Sequence, residues 1–573
     1  MHWARVLMVM GGAAMATLGV AGGWAAPVRG AGVAKTAVGA ASPNAEVACA
    51  GCHAEITARY AKTPMARASG VAMDGVLTGN FKHAASGVEY KVFERAGKLR
   101  MSYERVRGRG GSEGDPELKG ERELAYFVGS GHDGRTYLYE EAGLWFEAPI
   151  NYYGMRRVWD MAPNFSGARA MPDALPVDAN CLHCHATNLN KPQPTARNRY
   201  VDGPFERGGI GCGSCHGDGA AHVASGGKAA IVNPEKLTAL RRDSVCLQCH
   251  LEGDAAVPHA ENSLASFRVG DDLSDHVTYF VKASAQGGGG RAASQYEALL
   301  RSACKRASGD KLTCTTCHDP HDSPSAAERV GYFRGKCLSC HTGQAIATHH
   351  AEQQDCAVCH MPSRKTTDIS HEQSADHDIE RRPGAQRARF TRLEATDELV
   401  PVGPEKVGDR ETGLAYAQLA QHGDQRSGER ALRLLQQAER SGADDAELHT
   451  QLGFLRQVSG DVAGARQEYV AALTKDANNA TALGNLAVME ASIGKVDEAV
   501  ALLERVARND PSQMAAGMNL AFLECSVGKK SKALEVLGEL RRFNPDDAAL
   551  HAFLTTGAYG GLHCDLHGGK GGR

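Results

Sequence analysis

The chain has 573 residues, with 64 Lys and Arg against 67 Asp and Glu, and a net charge of -3. This length predicts two or more domains. A net charge this close to zero gives no argument for nucleic acid as a partner.

The first residues have the pattern of an export signal. Arg5 precedes an apolar run over residues 6–20, and small residues follow up to Ala25 and Ala26. This pattern is typical of a secretory signal peptide, here residues 1–25, and predicts a periplasmic or otherwise exported protein. An uncleaved membrane anchor is the alternative, but about 15 apolar residues fall short of the roughly 20 that span a bilayer. No transmembrane segment is expected after signal cleavage.

A repeated cysteine motif begins after a lead-in, residues 26–44, that is rich in Ala, Gly and Val and predicted to be flexible. Cys-x-x-Cys-His occurs seven times, where chance predicts roughly 0.02 copies. The cysteine pairs are Cys49/Cys52, Cys181/Cys184, Cys212/Cys215, Cys246/Cys249, Cys314/Cys317, Cys337/Cys340 and Cys356/Cys359. The histidines that follow them are His53, His185, His216, His250, His318, His341 and His360.

This motif is typical of covalent haem attachment. Two thiols at this spacing reach both vinyl groups of one haem, and the adjacent imidazole binds the iron as proximal ligand. Disulfides or zinc sites are the alternative, but neither requires a histidine at the same offset after every pair. We therefore predict seven covalently bound haem c groups.

A stretch without cysteines separates the first motif from the second. Residues 87–106 alternate apolar and polar side chains around an Ala-Gly-Lys turn, and residues 135–153 do so around Ala-Gly. Both patterns predict β-hairpins, and together they indicate a small antiparallel subdomain inserted at about residues 77–165. Its aromatic side chains are interpreted as its own core or as a wall over a haem edge: Tyr90, Phe93, Tyr137, Trp145, Phe146 and Tyr152.

The six later motifs lie too close together in sequence for an ordinary apolar core. We therefore expect the haem groups to act as the core of residues 45–380, which should not fold without them. A polar, Arg-rich stretch, residues 381–410, is interpreted as a linker.

The C-terminal part repeats every 34 residues. Leu452-Gly453, Ala465 and Tyr469 recur 34 and 68 positions later as apolar or small residues. This period is typical of tetratricopeptide (TPR) helix pairs and predicts a solenoid over residues 411–555, with a capping helix near its end. We expect the solenoid to bind a protein or peptide in its groove, with Asn485 and Asn519 facing that groove, although solvated polar positions are the alternative. Removal of residues 411–573 should then leave the haem spectrum intact and abolish partner binding.

The second axial ligand of each iron decides between electron transfer and catalysis. His222 and His321 follow the third and fifth motifs closely, and His371 and His377 follow the last, so these four are the favoured distal ligands. Further possible distal ligands are His83, His259, His276, His349 and His350.

Other histidines and cysteines have weaker interpretations. His132 could be an axial ligand, a substrate-site acid or a turn residue. Three cysteines lie outside the motifs: Cys525 is interpreted as a buried thiol, Cys304 has no assignment, and Cys564 lies in a tail, residues 556–573, predicted to be disordered.

Several segments resemble a known family. They are VGSGHDGRTYL (residues 128–138), APINYY (148–153), CHGDGAAH (215–222), KLTCTTCHDPH (311–321), CAVCHMP (356–362) and ADHDI (375–379). In combination they resemble bacterial multihaem cytochromes c, the cytochrome c-552/4-like superfamily that includes hydroxylamine oxidoreductase, ammonia-forming nitrite reductase and dissimilatory sulfite reductase.

The resemblance implies a mostly helical array of stacked haem pairs, with His222, His321, His371 and His377 as distal ligands. The active haem of the ammonia-forming nitrite reductases has Lys in place of the motif histidine, and no motif of this chain has that Lys.

The sequence therefore predicts a mainly α protein: a multihaem cytochrome c domain with a small inserted antiparallel β subdomain, followed by a TPR α-solenoid. The leading hypothesis is an exported electron carrier between redox proteins. The alternative is a multihaem oxidoreductase with one open haem that acts on nitrite, hydroxylamine, sulfite or a similar small molecule. No catalytic residue can be named, and enzymatic activity stays open.

Overall fold

The structure is a computed structural model and describes residues 45–105, 117–283, 293, 295–342, 354–366, 373–380, 398–403, 406–421 and 423–567. Residues 1–44, the predicted signal peptide and lead-in, lie outside this set. Among the described residues, no helix combines the length and the apolarity needed to cross a membrane.

The region between the first two motifs is an antiparallel β domain. Its strands form one sheet of order β1-β6-β7-β8-β10, with β9 on β8, and a second sheet of order β2-β3-β4-β5. The antiparallel sheets expected from the sequence are confirmed, and they extend past residues 77–165 on both sides. The strands are β1 Ser69–Val71, β2 Gly79–Lys82, β3 Glu89–Arg95, β4 Lys98–Arg105, β5 Leu118–Leu124, β6 Tyr126–Val128, β7 Gly134–Glu141, β8 Leu144–Tyr153, β9 Val158–Met161 and β10 Leu175–Pro176.

Both predicted hairpins form with the same two-residue turn. Ala96 and Gly97 join β3 to β4 with φ of 54° and 71°, and Ala142 and Gly143 join β7 to β8 with φ of 55° and 76°. Two successive residues with positive φ match the right-handed twist of the flanking strands, which favours this turn in hairpins.

The aromatic residues of the β domain have different roles. Tyr90, Tyr137 and Phe146 are fully buried in its core. Trp145 packs elsewhere, in a cluster with Leu182, which lies between the two cysteines of the second motif. The domain therefore has its own core, as one expectation held, and Trp145 also packs against the second motif, whereas a wall over a haem edge stays a prediction.

The motif-bearing region consists of short helices and short strands. Its helices are α1 Ala45–Ala50, α2 Ala54–Tyr60, α3 Ala179–His183, α4 Gly213–His216, α5 Ala220–Ala224, α6 Ala239–His250, α7 Gln295–Arg301, α8 Ala303–Ser308, α9 Cys314–Cys317, α10 Arg329–Leu338 and α11 Cys356–His360. Its strands are β11 Ala186–Leu189, β12 Phe205–Gly208, β13 Ala255–Pro258, β14 Val277–Lys282, β15 Ser363–Lys365 and β16 Gln373–Ala375.

The C-terminal region is a stack of paired antiparallel helices that resembles TPR proteins, as the sequence predicts. Asp445, Asp461 and Asn479 cap successive helices by accepting hydrogen bonds from backbone N–H groups. The helices are α12 Asp409–Gln421, α13 Gln425–Arg440, α14 Ala446–Val458, α15 Val462–Lys475, α16 Ala480–Ser492, α17 Val496–Asn509, α18 Met514–Ser526, α19 Lys530–Phe543 and α20 Ala548–Thr556.

The 34-residue period has a direct structural cause. The glycines between the helices of each pair, Gly460, Gly494 and Gly528, have φ of 89°, 85° and 84°, which a residue with a side chain rarely adopts. Gly453 lies against the ring of Tyr469, and a Cβ there would be 2.7 Å from the ring carbons. Small residues therefore stand where two helices approach most closely.

The stretch interpreted as a linker is partly structured. Residues 381–397 and 404–405 lie outside the described residues, but Leu399–Pro401 forms β17, which pairs with β14. Val257 and Phe280 of the motif-bearing region share one apolar cluster with Leu414 and Leu435 of the first helix pair. The solenoid is therefore joined to the motif-bearing region by a common core.

The other end of the solenoid joins the β domain. Arg105 of β4 forms a bidentate ion pair with Asp546, and both side chains are almost fully buried. Asp546 also accepts a hydrogen bond from the backbone of Met171 at 2.6 Å. Phe543 packs on Phe146 inside the β-domain core, with ring centroids 5.5 Å apart. Both ends of the solenoid therefore contribute to cores that are shared with the rest of the chain.

The predicted disordered tail is ordered as far as residue 567. After α20, two short strands, β18 Ala558–Tyr559 and β19 Leu562–His563, form a hairpin. Cys564 makes a disulfide with Cys525, across 39 positions of the sequence. Cys525 is thus not a free buried thiol, because the chain folds back and brings Cys564 onto α18.

Candidate haem-binding centre

Each motif whose backbone is described places its two cysteines within one helical turn. The backbone N–H of the histidine donates to the carbonyl of the first cysteine in several of them, for example from His53 to Cys49 at 2.8 Å and from His216 to Cys212 at 2.9 Å. Residues three apart share one face of a helix, so both sulfurs point to the same side. This local arrangement suits two thioethers to one planar group.

The motif cysteines are not all enclosed by the polypeptide. Cys52, Cys340 and Cys359, the second cysteines of the first, sixth and seventh motifs, are exposed. The physical reason is sparse local packing, because the helices at these motifs, α2, α10 and α11, bury none of their own described residues. An exposed cysteine can still form a thioether, so the prediction of haem attachment is unaffected.

Cys181, the first cysteine of the second motif, differs from these three. The residue is exposed as a whole, yet burial raises the pKa of its thiol to about 12. Protein atoms therefore surround Cys181 on most sides, although part of the residue is open to solvent.

The structure brings His216 of the third motif opposite His321, the histidine that follows the fifth motif. Their ring centroids are 5.9 Å apart and the ring planes differ by 9°. His321 sits in a turn held by Asp319, which accepts a hydrogen bond from its backbone N–H at 2.9 Å.

A second pair has the same form. His318 of the fifth motif faces His377, with ring centroids 6.2 Å apart and planes 24° from parallel. His377 lies just after β16, which pairs with β15 directly after the seventh motif. The chain therefore returns from the last motif to place this side chain beside the fifth.

These distances fit an iron between the two rings. A metal–imidazole bond is about 2 Å, so two nitrogens on opposite sides of one iron lie about 4 Å apart and the ring centroids about 6 Å apart. Both observed separations agree with that value. The donor set therefore fits a haem iron with two histidine ligands.

A shared hydrogen bond fixes the orientation of several imidazoles. Nδ1 lies within hydrogen-bond distance of a backbone carbonyl oxygen in His216 (Val232, 2.9 Å), His222 (Ala229, 2.7 Å), His360 (Glu380, 2.6 Å) and His377 (Ala375, 2.9 Å). When Nδ1–H donates to a carbonyl, Nε2 keeps its lone pair for a metal, which is the usual arrangement of metal-binding histidines.

Burial favours the neutral form of His318, His377 and His321. Burial, together with the nearby His377 and His250, lowers the pKa of His318 to about 4. Burial also lowers the pKa of His377, and burial and then His216 lower that of His321. A neutral imidazole can donate its lone pair to iron at neutral pH, whereas a protonated one cannot.

The other predicted distal ligands have different surroundings. His222 lies on α5, which contacts α1, the helix that carries the first cysteine of the chain. His276 is buried with Nδ1 bonded to Ser266 and Nε2 3.2 Å from Asp271. Both its nitrogens are thus engaged, which argues against its role as a ligand.

His83 and His259 also have hydrogen-bond partners. His83 is buried in the turn between β2 and β3, where Nδ1 lies 2.9 Å from Ser86. His259 has its Nε2 2.9 Å from Thr278. The remaining predicted distal ligands, His349, His350 and His371, lie outside the described residues.

Cysteines of different motifs approach one another. The thiols of Cys184 and Cys249 are neighbours, and their interaction lowers the pKa of Cys184 and raises that of Cys249. Cys246 and Cys314 interact in the same way, and burial, followed by the nearby Cys356, raises the pKa of Cys337. Motifs two, four and five thus form one contiguous series, and motifs six and seven form another.

Two buried polar residues that the sequence analysis did not single out connect these motifs. On α6, Gln248 lies 2.9 Å from His183 of the second motif and donates to the carbonyl of Ser214 in the third at 3.2 Å. Asp243 accepts from the backbone N–H of Cys314 at 3.1 Å. Neither residue stands out in the sequence, because a single polar side chain in a helix turn looks the same whether it is buried or exposed.

Comparison with known families agrees with two parts of this description. Residues 162–217, which include the second and third motifs, match the family "Cytochrome c554 and c-prime". Residues 491–556 match the family "Tetratricopeptide repeat". The first match implies covalently bound haem c, and the second implies a region of the kind that binds proteins or peptides.

Other comparisons concern about a quarter of the chain. No curated protein matches the chain. The solved structure of MamA AMB-1 is 21% identical and covers 25% of this chain and 75% of its own, with a TM-score of 0.23. YrrB, described as a TPR protein with an unusual peptide-binding site, is 23% identical and covers 25% of this chain and 72% of its own, with a TM-score of 0.22.

Proposed function

We propose that this protein is an exported seven-haem c-type cytochrome that relays electrons between redox partners, with the solenoid as its protein-binding region. The observation that carries the proposal is the presence of two nearly parallel imidazole pairs, His216 with His321 and His318 with His377. Haem c supplies one-electron oxidation and reduction when it is bound.

The residues around these pairs favour electron transfer over catalysis at two of the seven positions. An iron with imidazoles on both faces has no position left for a substrate, and its ligation does not change when it gains or loses an electron. Nδ1 hydrogen bonds hold His216 and His377 in place, so the same geometry serves both oxidation states.

Contact between motifs supports a relay. The thiol contacts between the second and fourth motifs, and between the fourth and fifth, mean that groups attached there would be neighbours. Burial, and to a smaller extent the nearby His377, lowers the pKa of His250 of the fourth motif. These two histidines are therefore neighbours. A series of adjacent redox groups conducts electrons, whereas isolated groups would not.

Removal of one distal ligand tests the assignment. In His321→Ala, one of the seven haems should change from low-spin to high-spin in the electron paramagnetic resonance spectrum of the oxidised protein. The reason is that the iron held by His216 would lose its second histidine ligand. His377→Ala should do the same through His318. His132→Ala is the matched control, since His132 is exposed in a loop and pairs with Asp133, and its spectrum should equal that of the wild type.

The opposite result would favour an enzyme. A wild-type protein with a high-spin ferric haem whose signal shifts on addition of nitrite or cyanide would contradict the simple relay. An unchanged spectrum in His321→Ala and His377→Ala would remove the two ligand assignments.

A further inference from the structure

The C-terminal hairpin β18–β19 covers one face of α18. Asn519, Phe522 and Cys525 lie three residues apart on this helix and therefore form a single face. The hydroxyl of Tyr559 donates to Asn519 Oδ1 at 3.1 Å, and Cys564 is bonded to Cys525 through their disulfide. This set of three residues is called the α18 face below.

The covered surface is aromatic. The ring of Tyr559 stacks on Phe553 of α20, with centroids 5.6 Å apart, and lies 6.2 Å from Phe522. Leu566, past the hairpin, is almost fully buried. Val488 of the preceding repeat belongs to the same apolar cluster. Release of the hairpin would therefore expose a contiguous apolar surface that spans two repeats.

The α18 face holds one of the two asparagines predicted to line the groove of the solenoid. Asn519 is buried and bonds to Tyr559, whereas Asn485, one repeat earlier, donates to Tyr469 of α15 at 2.9 Å. Tyr559 comes from the tail and Tyr469 from within the repeats. In the last repeat, the tyrosine that bonds to the asparagine thus comes from the tail, whereas one repeat earlier it comes from a neighbouring helix.

Other polar contacts of this segment lie at its edge. Lys530 pairs with Asp565 at 3.2 Å, and both side chains are about half exposed, so this pair adds little. His567 lies 2.8 Å from the carbonyl of Leu554 through Nε2. The hairpin is therefore held on the α18 face by the contacts of Tyr559 and by the covalent Cys525–Cys564 bond.

We propose that the hairpin is a built-in ligand of the solenoid, and that cleavage of Cys525–Cys564 by a dithiol frees the α18 face for an extended segment of a partner protein that carries an aromatic side chain. The dithiol attacks Cys564, which is partly exposed whereas Cys525 is buried, forms a mixed disulfide and releases the Cys525 thiol. Its second thiol then closes the dithiol to its own disulfide and releases Cys564 as a thiol. The inference rests on the proposed protein-binding role of the solenoid.

Hydrogen exchange of the full-length haem-loaded protein tests the release. Dithiothreitol should speed amide exchange in residues 558–564 by more than about tenfold, because a disulfide that closes a loop of this length strongly restricts the open state. Exchange in α14–α17 should stay unchanged. Cys564→Ala should show the fast exchange without dithiothreitol, and Cys304→Ala should respond to dithiothreitol as the wild type does.

Binding of a synthetic peptide tests the surface. The probe is a fluorescent peptide of residues 556–567 with Ser at the position of Cys564. It should bind full-length Tyr559→Ala/Cys564→Ala, whose own hairpin is weakened, and not the oxidised wild type. Addition of Phe522→Ala should abolish binding, provided that far-ultraviolet circular dichroism shows the helices intact.

Two results would overturn the inference. One is equal protection of residues 558–564 before and after reduction. The other is failure of the peptide to bind the double variant. The haem proposal and the hairpin proposal can fail separately. Peptide binding, or its absence, does not test the haem ligands. The haem spectrum of His321→Ala does not test the hairpin.

Discussion

Residues 299–380 carry three of the seven motifs, and none of their apolar side chains is buried in the part that the structure describes. The solenoid differs: Ala465, Ala499 and Ala533, together with Leu503 and Leu537, are fully buried at equivalent places of successive repeats. The buried side chains of residues 299–380 are polar, namely Ser302, Thr313, Asp378 and Glu380. The solenoid is stabilised by its own side chains, whereas residues 299–380 bury no apolar side chain among those described, so we expect bound groups to supply their interior.

The β domain belongs with the solenoid in this comparison. It has a core of its own, and Phe543 from the last repeat is part of it. The β domain and the C-terminal half of the chain therefore share one core.

Absence of haem should have the largest effect. Protein made without cytochrome maturation should show amide exchange near that of an unfolded chain in residues 299–380, while α14–α19 stay protected. The physical reason is that the former segment has no apolar core among its described residues. Hydrogen exchange with mass spectrometry measures both parts in one sample. Protection of residues 299–380 in the apoprotein would break the comparison.

The ion pair between the β domain and the solenoid should have the next largest effect. Asp546→Asn should lower the free energy of unfolding by about 3–5 kcal/mol, because it leaves the buried Arg105 without its counter-charge. Denaturant titration followed by circular dichroism measures this change.

A control for that variant is available at Glu104, the residue next to Arg105 on β4. Glu104 pairs with Lys119 at 3.4 Å with both side chains exposed, so Glu104→Gln should change the free energy by less than about 1 kcal/mol. Similar effects of the two substitutions would show that the joint between the two regions contributes little.

Close packing within the repeats predicts a smaller effect. Gly453→Ala should destabilise the protein by about 1–3 kcal/mol, because the new Cβ would meet the ring of Tyr469 at 2.7 Å. Gly484→Ala, on α16, meets nothing within 4 Å and should stabilise the helix by about 0.5–1 kcal/mol. Thermal unfolding compares the two, and equal shifts of the same sign would contradict the tight contact of α14 with α15.

The smallest predicted effect is a pH dependence inside the solenoid. Hydrogen bonds to Glu468 (2.7 Å) and Asp444 (2.9 Å) raise the pKa of His449. The stability that this histidine contributes is fully present below its ordinary pKa of about 6.5 and is lost as the pH rises through the folded value. The free energy of unfolding should therefore fall as the pH rises above about 6.5, and less so in His449→Gln.

His551→Gln is the control for that measurement, since His551 is an exposed histidine on the capping helix α20. Its pH profile should match that of the wild type. An identical profile in His449→Gln would contradict the assignment of the charge to His449.

Local patterns in the sequence were sufficient for much of this structure. The 34-residue period predicts the helix pairs because Gly460, Gly494 and Gly528 mark each turn. The two Ala-Gly turns predict the hairpins because only a few residue pairs accept positive φ twice. For His321 and His377, the short distance from a motif was enough to favour them, and the structure places each opposite a motif histidine.

Contacts between distant residues were not predictable in this way. Nothing local to Arg105 indicates Asp546, which lies 441 positions away. Cys525 and Cys564 meet only because the tail folds back over α18. His276 was one of the possible distal ligands, yet Ser266 and Asp271 engage both its nitrogens. Such choices depend on tertiary packing, which a single sequence does not display.

Deletion of the C-terminal half illustrates the consequence. The sequence suggests that removal of residues 411–573 leaves the haem spectrum intact. The structure instead predicts damage at both ends, since Phe543 and Asp546 would leave the β domain and Leu414 and Leu435 would leave the cluster around Phe280.

The most direct measurement is the intact mass of the purified mature protein, before and after chemical cleavage of thioethers. The account predicts an excess mass of seven haem groups over the polypeptide, one for each Cys-x-x-Cys-His motif. A smaller number, above all the absence of a group on the peptides that contain Cys212/Cys215 or Cys314/Cys317, would contradict it, because the two imidazole pairs would then have no iron between them.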